Sequence, residues 1–455
     1  MNSHNSLLKP LTEEEQKEFE ILANYLIPLG WQDELSAGKF AGLLKQKLDL
    51  NIDANHAERK LKKFQKVGLI EIQKNLTGSD RGRGKRLANT IILQSFAYQG
   101  TVLTGEVPLD SVLYIERDAD EICQRELTLA RDVRESVPFI RVKAAKGMGK
   151  SSLLGRIGHF LASEKKEIVA RVNLGTDAFG SDAFNDLEEL FKRFTEAVAT
   201  AFGKFIPGLS PPDLNSTLIW SKYKPPGKNC TDYLEEHIFK KIAQKPKTLL
   251  IDGIDYILGK PTQTDFLLVL RTWNERKMKR VDRTPIIWPS VAIAYSTEPY
   301  PDAKFKGSPL QNVGTPIELS EFSPESILNL AKIYGLNWEF NDVSQLMKLI
   351  GGHPMLVQRA LYEIGQGKIS LSELEAKATE INSPFSDRLL KLLEVLQAPG
   401  HEQLQACFQK LLAGERCRDA FAIFQLNKIG LIKFDGNEAK VSCELYRRFF
   451  QEYLE

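Results

Sequence analysis

The stretch Ala144-Ala-Lys-Gly-Met-Gly-Lys-Ser151 constrains this chain more than any other. It follows the apolar run Phe139–Lys143 and precedes residues 152–162, whose apolar side chains recur at helical spacing. Strand, glycine-bearing loop and helix in that order make the corner of a βαβ unit. Gly147 and Gly149 let the backbone turn with no Cβ in the way, so that its N–H groups face a negatively charged ligand. The start of the helix adds a partial positive charge. In such a loop Lys150 reaches the β- and γ-phosphates of a nucleoside triphosphate, and the Ser151 hydroxyl ligates Mg²⁺. The expected ligands are therefore ATP and Mg²⁺, with Lys146, Gly147, Met148, Gly149, Lys150, Ser151 and Ser152 around the phosphates. The usual pattern opens on a glycine, and here that place is Ala144.

A second motif supplies the acid such a site needs. Leu249-Leu-Ile-Asp-Gly-Ile-Asp255 is a buried-strand run that ends in an aspartate. Asp252 then lies at the carboxyl end of a parallel strand, where open α/β sheets bind ligands, and is read as the second Mg²⁺ holder beside Ser151. Many ATPases carry a glutamate immediately after this aspartate to polarise the attacking water. Here that place is Gly253, and Asp255 is the substitute within reach. Binding with slow hydrolysis is the expectation.

Around these motifs, residues 109–320 alternate strand-like runs with helical stretches, which predicts a parallel sheet. Residues 323–367 read as a helical lid. The first hundred residues read as a separate module. Thr12 caps a helix, further helical stretches follow at 37–48 and 55–67, and Gly68 ends the last of them. Strand-like runs at 69–73 and 89–93 flank a glycine-rich basic loop. Three helices and a hairpin with a basic tip give the order of a winged helix. Near the C-terminus, Ile429-Gly-Leu-Ile-Lys-Phe434, Asp435-Gly-Asn437 and residues 440–443 read as strand, tight turn, strand, a second winged helix. The expected domains are 1–100, 101–320, 321–368 and 369–455.

Net charge is only +2, yet residues 58–86 hold ten Lys/Arg against three Asp/Glu. Clustered cations in a nearly neutral chain suit the phosphates of a nucleic acid. In a winged helix the third helix enters the major groove and the wing touches the backbone. The helix offers Arg59, Lys62, Lys63 and Lys66, and the wing Arg81, Arg83, Lys85 and Arg86. These give affinity without sequence choice. The five cysteines are scattered and form no CxxC pair, so free thiols in a cytoplasmic protein are expected, without a zinc site. No apolar run is long enough to cross a bilayer.

Several blocks in order resemble the AAA-like ATPases common in cyanobacteria. They are Pro108-Leu-Asp-Ser-Val-Leu-Tyr-Ile-Glu-Arg117, the phosphate loop with Ser152-Leu-Leu154, Ser296-Thr-Glu-Pro-Tyr300, Asn312-Val-Gly-Thr-Pro-Ile-Glu-Leu319 and Gly351-Gly-His-Pro354. The resemblance covers about residues 100–455 and places the chain near the STAND and origin-recognition ATPases. It implies an AAA-type P-loop core of parallel-sheet α/β class, a helical lid and a C-terminal winged helix. It also implies roles by position. Tyr114, Ile115 and Arg117 match the segment that packs on the adenine. Thr297, with Ser296, matches the polar sensor of the γ-phosphate. His353 and Pro354 match a lid motif in which proline packs on the base and histidine contacts the β-phosphate. Arg271, in the basic stretch that runs to Arg280, is the candidate arginine finger for a neighbouring subunit.

These readings converge on an ATP-binding switch, a slow ATPase that couples nucleotide state to homo-oligomeric assembly and to DNA or RNA binding. The competing reading is a STAND-type signalling or defence regulator whose N-terminal module binds a separate protein effector.

Overall fold

The computed structural model describes residues 11–454 apart from 30, 74–88, 94–102, 110, 134–137, 176–178, 210–212, 244, 278–287, 297–308 and 311. The chain divides into two compact units, each built from two separate segments: 1–115 with 322–387, and 116–321 with 388–455.

In the first unit, the helix Glu13–Leu26 opens with a reciprocal cap between Thr12 and Glu15. It buries Phe19, Leu22 and Leu26. Strand β1 (Gln32–Leu35) follows, then the helices Ala37–Leu48 and Ala54–Lys66 and strands β2 (Ile70–Gln73) and β3 (Asn89–Leu93). Phe64 is the packing centre, with edge-to-face contacts to Phe19 at 5.4 Å and to Phe40 at 6.3 Å. The sheet is antiparallel in the order β1-β3-β2. The sequence reading found β2 and β3 but missed β1. Gln-Asp-Glu-Leu carries no apolar alternation, and only pairing to β3 makes it a strand. The glycine-rich basic loop with Arg81, Arg83, Lys85 and Arg86 lies outside the described residues.

The second segment of this unit holds the helices Pro324–Ile333, Phe340–Ile350, Pro354–Gly365 and Leu371–Ala376. It joins the N-terminal module through a hydrogen bond from Trp31 Nε1 to Asn329 Oδ1, 3.2 Å. Gln358 Nε2 donates to the Leu113 carbonyl at 3.0 Å, which sets residues 113–115 beside the helix that begins at Pro354.

The second unit is built on a five-stranded parallel sheet: β4 (Phe139–Lys143), β5 (Ile168–Asn173), β6 (Lys247–Asp252), β7 (Ser290–Tyr295) and β8 (Thr315–Glu318). Its order is β5-β6-β7-β4-β8. β6 and β7 are buried along their whole length, whereas the edge strand β5 alternates. One face packs on Phe191, Phe194, Phe202, Phe239, Phe266 and Trp273. The other packs on the helices Asp118–Val133 and Lys150–Ser163 through Cys123, Leu127, Leu154 and Ile157.

After residue 385 come the helices Ser386–Gln397, Glu402–Leu412 and Ala420–Ile429, the hairpin β9 (Ile432–Asp435) and β10 (Glu438–Val441), and the helix Glu444–Tyr453. The hairpin is where the sequence placed it, but Ile429 closes the preceding helix and Gly430 caps it in the left-handed region at φ 83°. Among the described residues no helix is long and apolar enough to cross a membrane.

One sequence expectation is overturned. Cys407 and Cys417 form a disulfide, with Cα atoms 5.4 Å apart, leaving Cys123, Cys230 and Cys443 free. Their spacing of ten matches no pattern that sequence alone would pair. The turn after the helix Glu402–Leu412 brings them together. Burial pushes the thiols of Cys123 and Cys230 up to about 12. Denatured, unreduced protein is therefore expected to titrate three thiols with a chromogenic disulfide reagent, and five after reduction. In the native protein at pH 8, Cys123 and Cys230 stay unreactive because the nucleophile is the thiolate.

Candidate nucleotide site

The parallel register sets the site. In the order β6-β7-β4 the carboxyl ends of three strands are neighbours, and they deliver Asp252, Ser296 and Ala144 to one edge of the sheet. Such an edge, beside a switch in strand order, is where α/β sheets bind ligands. The phosphate loop leaves β4 here. Among the described residues its left-handed positions are Gly147 at φ 90° and Gly149 at φ 92°, the two glycines that the sequence required. Ala144 keeps negative φ and is buried against the core, so the missing glycine costs the loop nothing. Gly149 is the N-cap of the helix Lys150–Ser163, which aims the helix N-terminus at the loop.

Lys150 Nζ donates to the carbonyls of Ala144 at 2.8 Å and Ala145 at 3.3 Å, and to Ser296 Oγ at 3.2 Å. Burial holds its pKa below the usual lysine value, against the opposing fields of Asp255 and Asp252. Asp255, in the short turn after β6, accepts from the Ser296 backbone N–H at 2.7 Å and from Ser296 Oγ at 2.8 Å. Lys150, Ser296 and Asp255 thus form one chain of polar contacts across the ends of β4, β7 and β6.

Asp252 is buried. Its Oδ1 accepts from the Gly253 N–H at 2.9 Å, and its Oδ2 pairs with Arg171 at 2.9 Å. The hydroxyl of Ser151 and the carboxylate of Asp252 form an all-oxygen pair. Among the described residues no group of three His, Cys, Asp or Glu stands ready to cage a metal. Two protein oxygens with the rest left to phosphates and water suit Mg²⁺, so the residues present fit that ion.

Gly253 stands where a catalytic glutamate is common. It has φ 76°, and a Cβ built there would lie 3.0 Å from Asn173 Oδ1 and 3.2 Å from the Gly175 nitrogen. The left-handed backbone and these close contacts favour glycine at this position. Asp255, the substitute base read from the sequence, has both carboxylate oxygens engaged by Ser296.

Other expected residues divide between the units. Arg117 braces the loop, its guanidinium donating to the Met148 carbonyl at 2.8 Å and the Ser320 carbonyl at 3.2 Å. Met148 and Ser152 are buried, and Lys146 is exposed. Tyr114, Ile115, His353 and Pro354 belong to the first unit, where His353 is buried at the start of its helix. Arg271 bonds within its own unit, to Glu275 at 3.1 Å and to the Pro309 carbonyl at 3.5 Å. Thr297 lies outside the described residues.

The sequence reading missed two cations. Arg171 is 81 positions from Asp252, and only the register of β5 on β6 joins them. Lys428, on the helix Ala420–Ile429, donates to the Asp255 carbonyl at 3.4 Å.

In the N-terminal module Arg59, Lys62 and Lys66 are exposed along one helix. Lys63 is held by Glu15 at 2.6 Å and Lys60 by the buried Glu18 at 2.6 Å, so both serve the module's own fold.

A parallel α/β sheet, a glycine-turned phosphate loop at its carboxyl edge and an aspartate on the neighbouring strand end define a P-loop ATPase. Residues 102–452 match the family of AAA-like domains, and the chain belongs to that family. No curated protein matches it. Among solved structures it is similar to a Walker-type ATPase of Pyrococcus abyssi at 14% identity, covering 73% of this chain and 95% of that one with a TM-score of 0.48. It is also similar to the ORC2 protein of Aeropyrum pernix in ADPNP–ADP complexes, at 13% identity, 77% and 95% coverage and a TM-score of 0.39. The ORC1 protein of Aeropyrum pernix in complex with DNA matches at 11% identity, 74% and 92% coverage and a TM-score of 0.39.

Gly253→Glu tests the constraint at that position. The left-handed backbone and the close contacts are expected to cost about 1–3 kcal/mol in chemical denaturation. Phosphate release is expected not to rise, because the added carboxylate sits on a displaced backbone.

Proposed function

We propose that this protein is an ATP-binding molecular switch with slow hydrolysis, and that its nucleotide state is coupled to self-assembly and to nucleic-acid binding. The observation that carries the reading is the Lys150 ammonium. It is partly buried at a helix N-terminus and held by loop carbonyls and by Ser296, which a triphosphate would replace as its partners. Bound ATP would take its phosphates on the loop N–H groups and Lys150, with Mg²⁺ between Ser151 and Asp252. Mg²⁺ would neutralise phosphate charge and fix its orientation. Slow turnover follows from Gly253 and from the engagement of Asp255 by Ser296.

We read the C-terminal helices and hairpin as a winged helix that serves as a regulatory lid. In its favour, Lys428 reaches the Asp255 carbonyl, and a Cβ on Gly430 would lie 3.5 Å from the Ala145 Cβ of the phosphate loop. Coupling then has a physical basis, since a ligand shifts two states only by its difference in affinity for them.

Lys150→Ala is expected to weaken binding of a fluorescent ATP analogue by a hundredfold or more, about 2.7 kcal/mol, while the thermal midpoint of the nucleotide-free protein changes little. An affinity within threefold of wild type would remove the site from consideration.

For the N-terminal module we read a winged helix whose Arg59, Lys62 and Lys66 contact phosphates. Replacing these three by alanine is expected to lower the slope of log affinity for duplex DNA against log salt by about 2–3. The ion pairs at Lys60 and Lys63 favour a second reading, a module that binds a protein effector, because they leave fewer cations for phosphate. Duplex affinity with no salt slope in the wild type would select that second reading. Size-exclusion with and without ATP tests assembly, and an unchanged mass would count against it.

A further inference from the structure

The two residues read as metal holders already share a cation. One guanidinium nitrogen of Arg171 lies 2.9 Å from Asp252 Oδ2 and 3.3 Å from the Ser151 carbonyl. It bridges the end of β6 and the first turn of the phosphate-loop helix. The Arg171 side chain is 29% exposed and that of Asp252 7% exposed. The arginine is therefore the more open to solvent of the two. Oδ1 accepts from the Gly253 N–H, and Oδ2 is the oxygen held by a cation.

We propose that Arg171 is a resident cation that occupies the Asp252 carboxylate when no metal is bound, and that a divalent ion must displace it to bind there. The inference rests on the reading that Ser151 and Asp252 hold Mg²⁺. A buried carboxylate left without a counter-charge is costly, and Arg171 removes that cost in metal-free protein. Mg²⁺ brings two positive charges to the same oxygen, beside the Lys150 ammonium whose field already meets Asp252. Three cationic groups around one carboxylate repel, and the exposed arginine is the one able to leave. Its departure also releases the Ser151 carbonyl, so metal binding changes the tie between β5 and the phosphate loop. Arg171 accordingly sets metal affinity without touching the phosphates. It is a positioning residue, and nucleotide binding in the absence of metal does not depend on it.

The test is a titration of the full chain with MgCl₂ at fixed fluorescent ATP analogue, beside a titration of the analogue in EDTA. Arg171→Gln keeps a donor for the Ser151 carbonyl and removes the charge, and Arg171→Lys restores the charge. The Mg²⁺ midpoint of Arg171→Gln is expected to fall about tenfold, the scale of one charge-assisted hydrogen bond. Its analogue affinity in EDTA is expected to stay within twofold of wild type, and Arg171→Lys to return toward the wild-type midpoint. A second readout covers loss of folding: Mg²⁺ alone is expected to raise the thermal midpoint of Arg171→Gln more than that of wild type. A midpoint unchanged in Arg171→Gln, with a metal effect present in wild type and lost in Asp252→Asn, overturns the role of Arg171 and leaves the metal site standing. Insensitivity to Mg²⁺ in wild type as well overturns both.

Discussion

The Lys150 ammonium is the contact on which the site depends. Its three donors match three acceptors, two carbonyls of the loop after β4 and the hydroxyl at the end of β7. Through Ser296 it reaches Asp255 in the turn after β6. One charge therefore links three strand ends that the parallel register already sets side by side. A buried ammonium tolerates this only because every donor is satisfied and two carboxylates lie near. Phosphate oxygens are better acceptors than carbonyls because they carry charge, which gives a triphosphate the means to redraw the network.

The proposal of slow turnover rests on the same geometry. A catalytic base needs a carboxylate with an open oxygen near the attacking water. Asp255 has both oxygens on Ser296, and a left-handed backbone close to Asn173 and Gly175 favours glycine at 253. The turn between β6 and the next element carries glycine where a glutamate would face that strain. Charge balance around Asp252 comes from Arg171, which pairs with its carboxylate, and from the field of Lys150 nearby.

Particular residues show how much was legible beforehand. Gly147 and Gly149 were readable because a positive φ leaves few other choices, and both adopt it. The helix Ala54–Lys66 was readable at its end from Gly68, which takes the left-handed region at φ 81°. β1 was not, because a short charged edge strand has no pattern of its own and exists through its partner. The roles of Lys60 and Lys63 were hidden for a related reason. A count of charges cannot tell a cation facing solvent from one paired to Glu18 or Glu15 on another helix.

By itself, then, the sequence determined what local conformation and short spacing can encode: the strand–loop–helix corner, the lysine at a helix start, the aspartate closing an apolar strand, and the class of α/β fold that joins them. Only the tertiary structure decided which charges meet. Arg171 finds Asp252 across 81 residues, Lys428 finds Asp255 across 173, and Cys407 finds Cys417 around the end of a helix. Such pairings depend on strand order, register and packing, which bring together side chains that no local pattern relates. The phosphate loop was written in adjacent residues because its function is a backbone shape. The cations that balance it were not, because charge acts through space and any element that reaches the site can supply them.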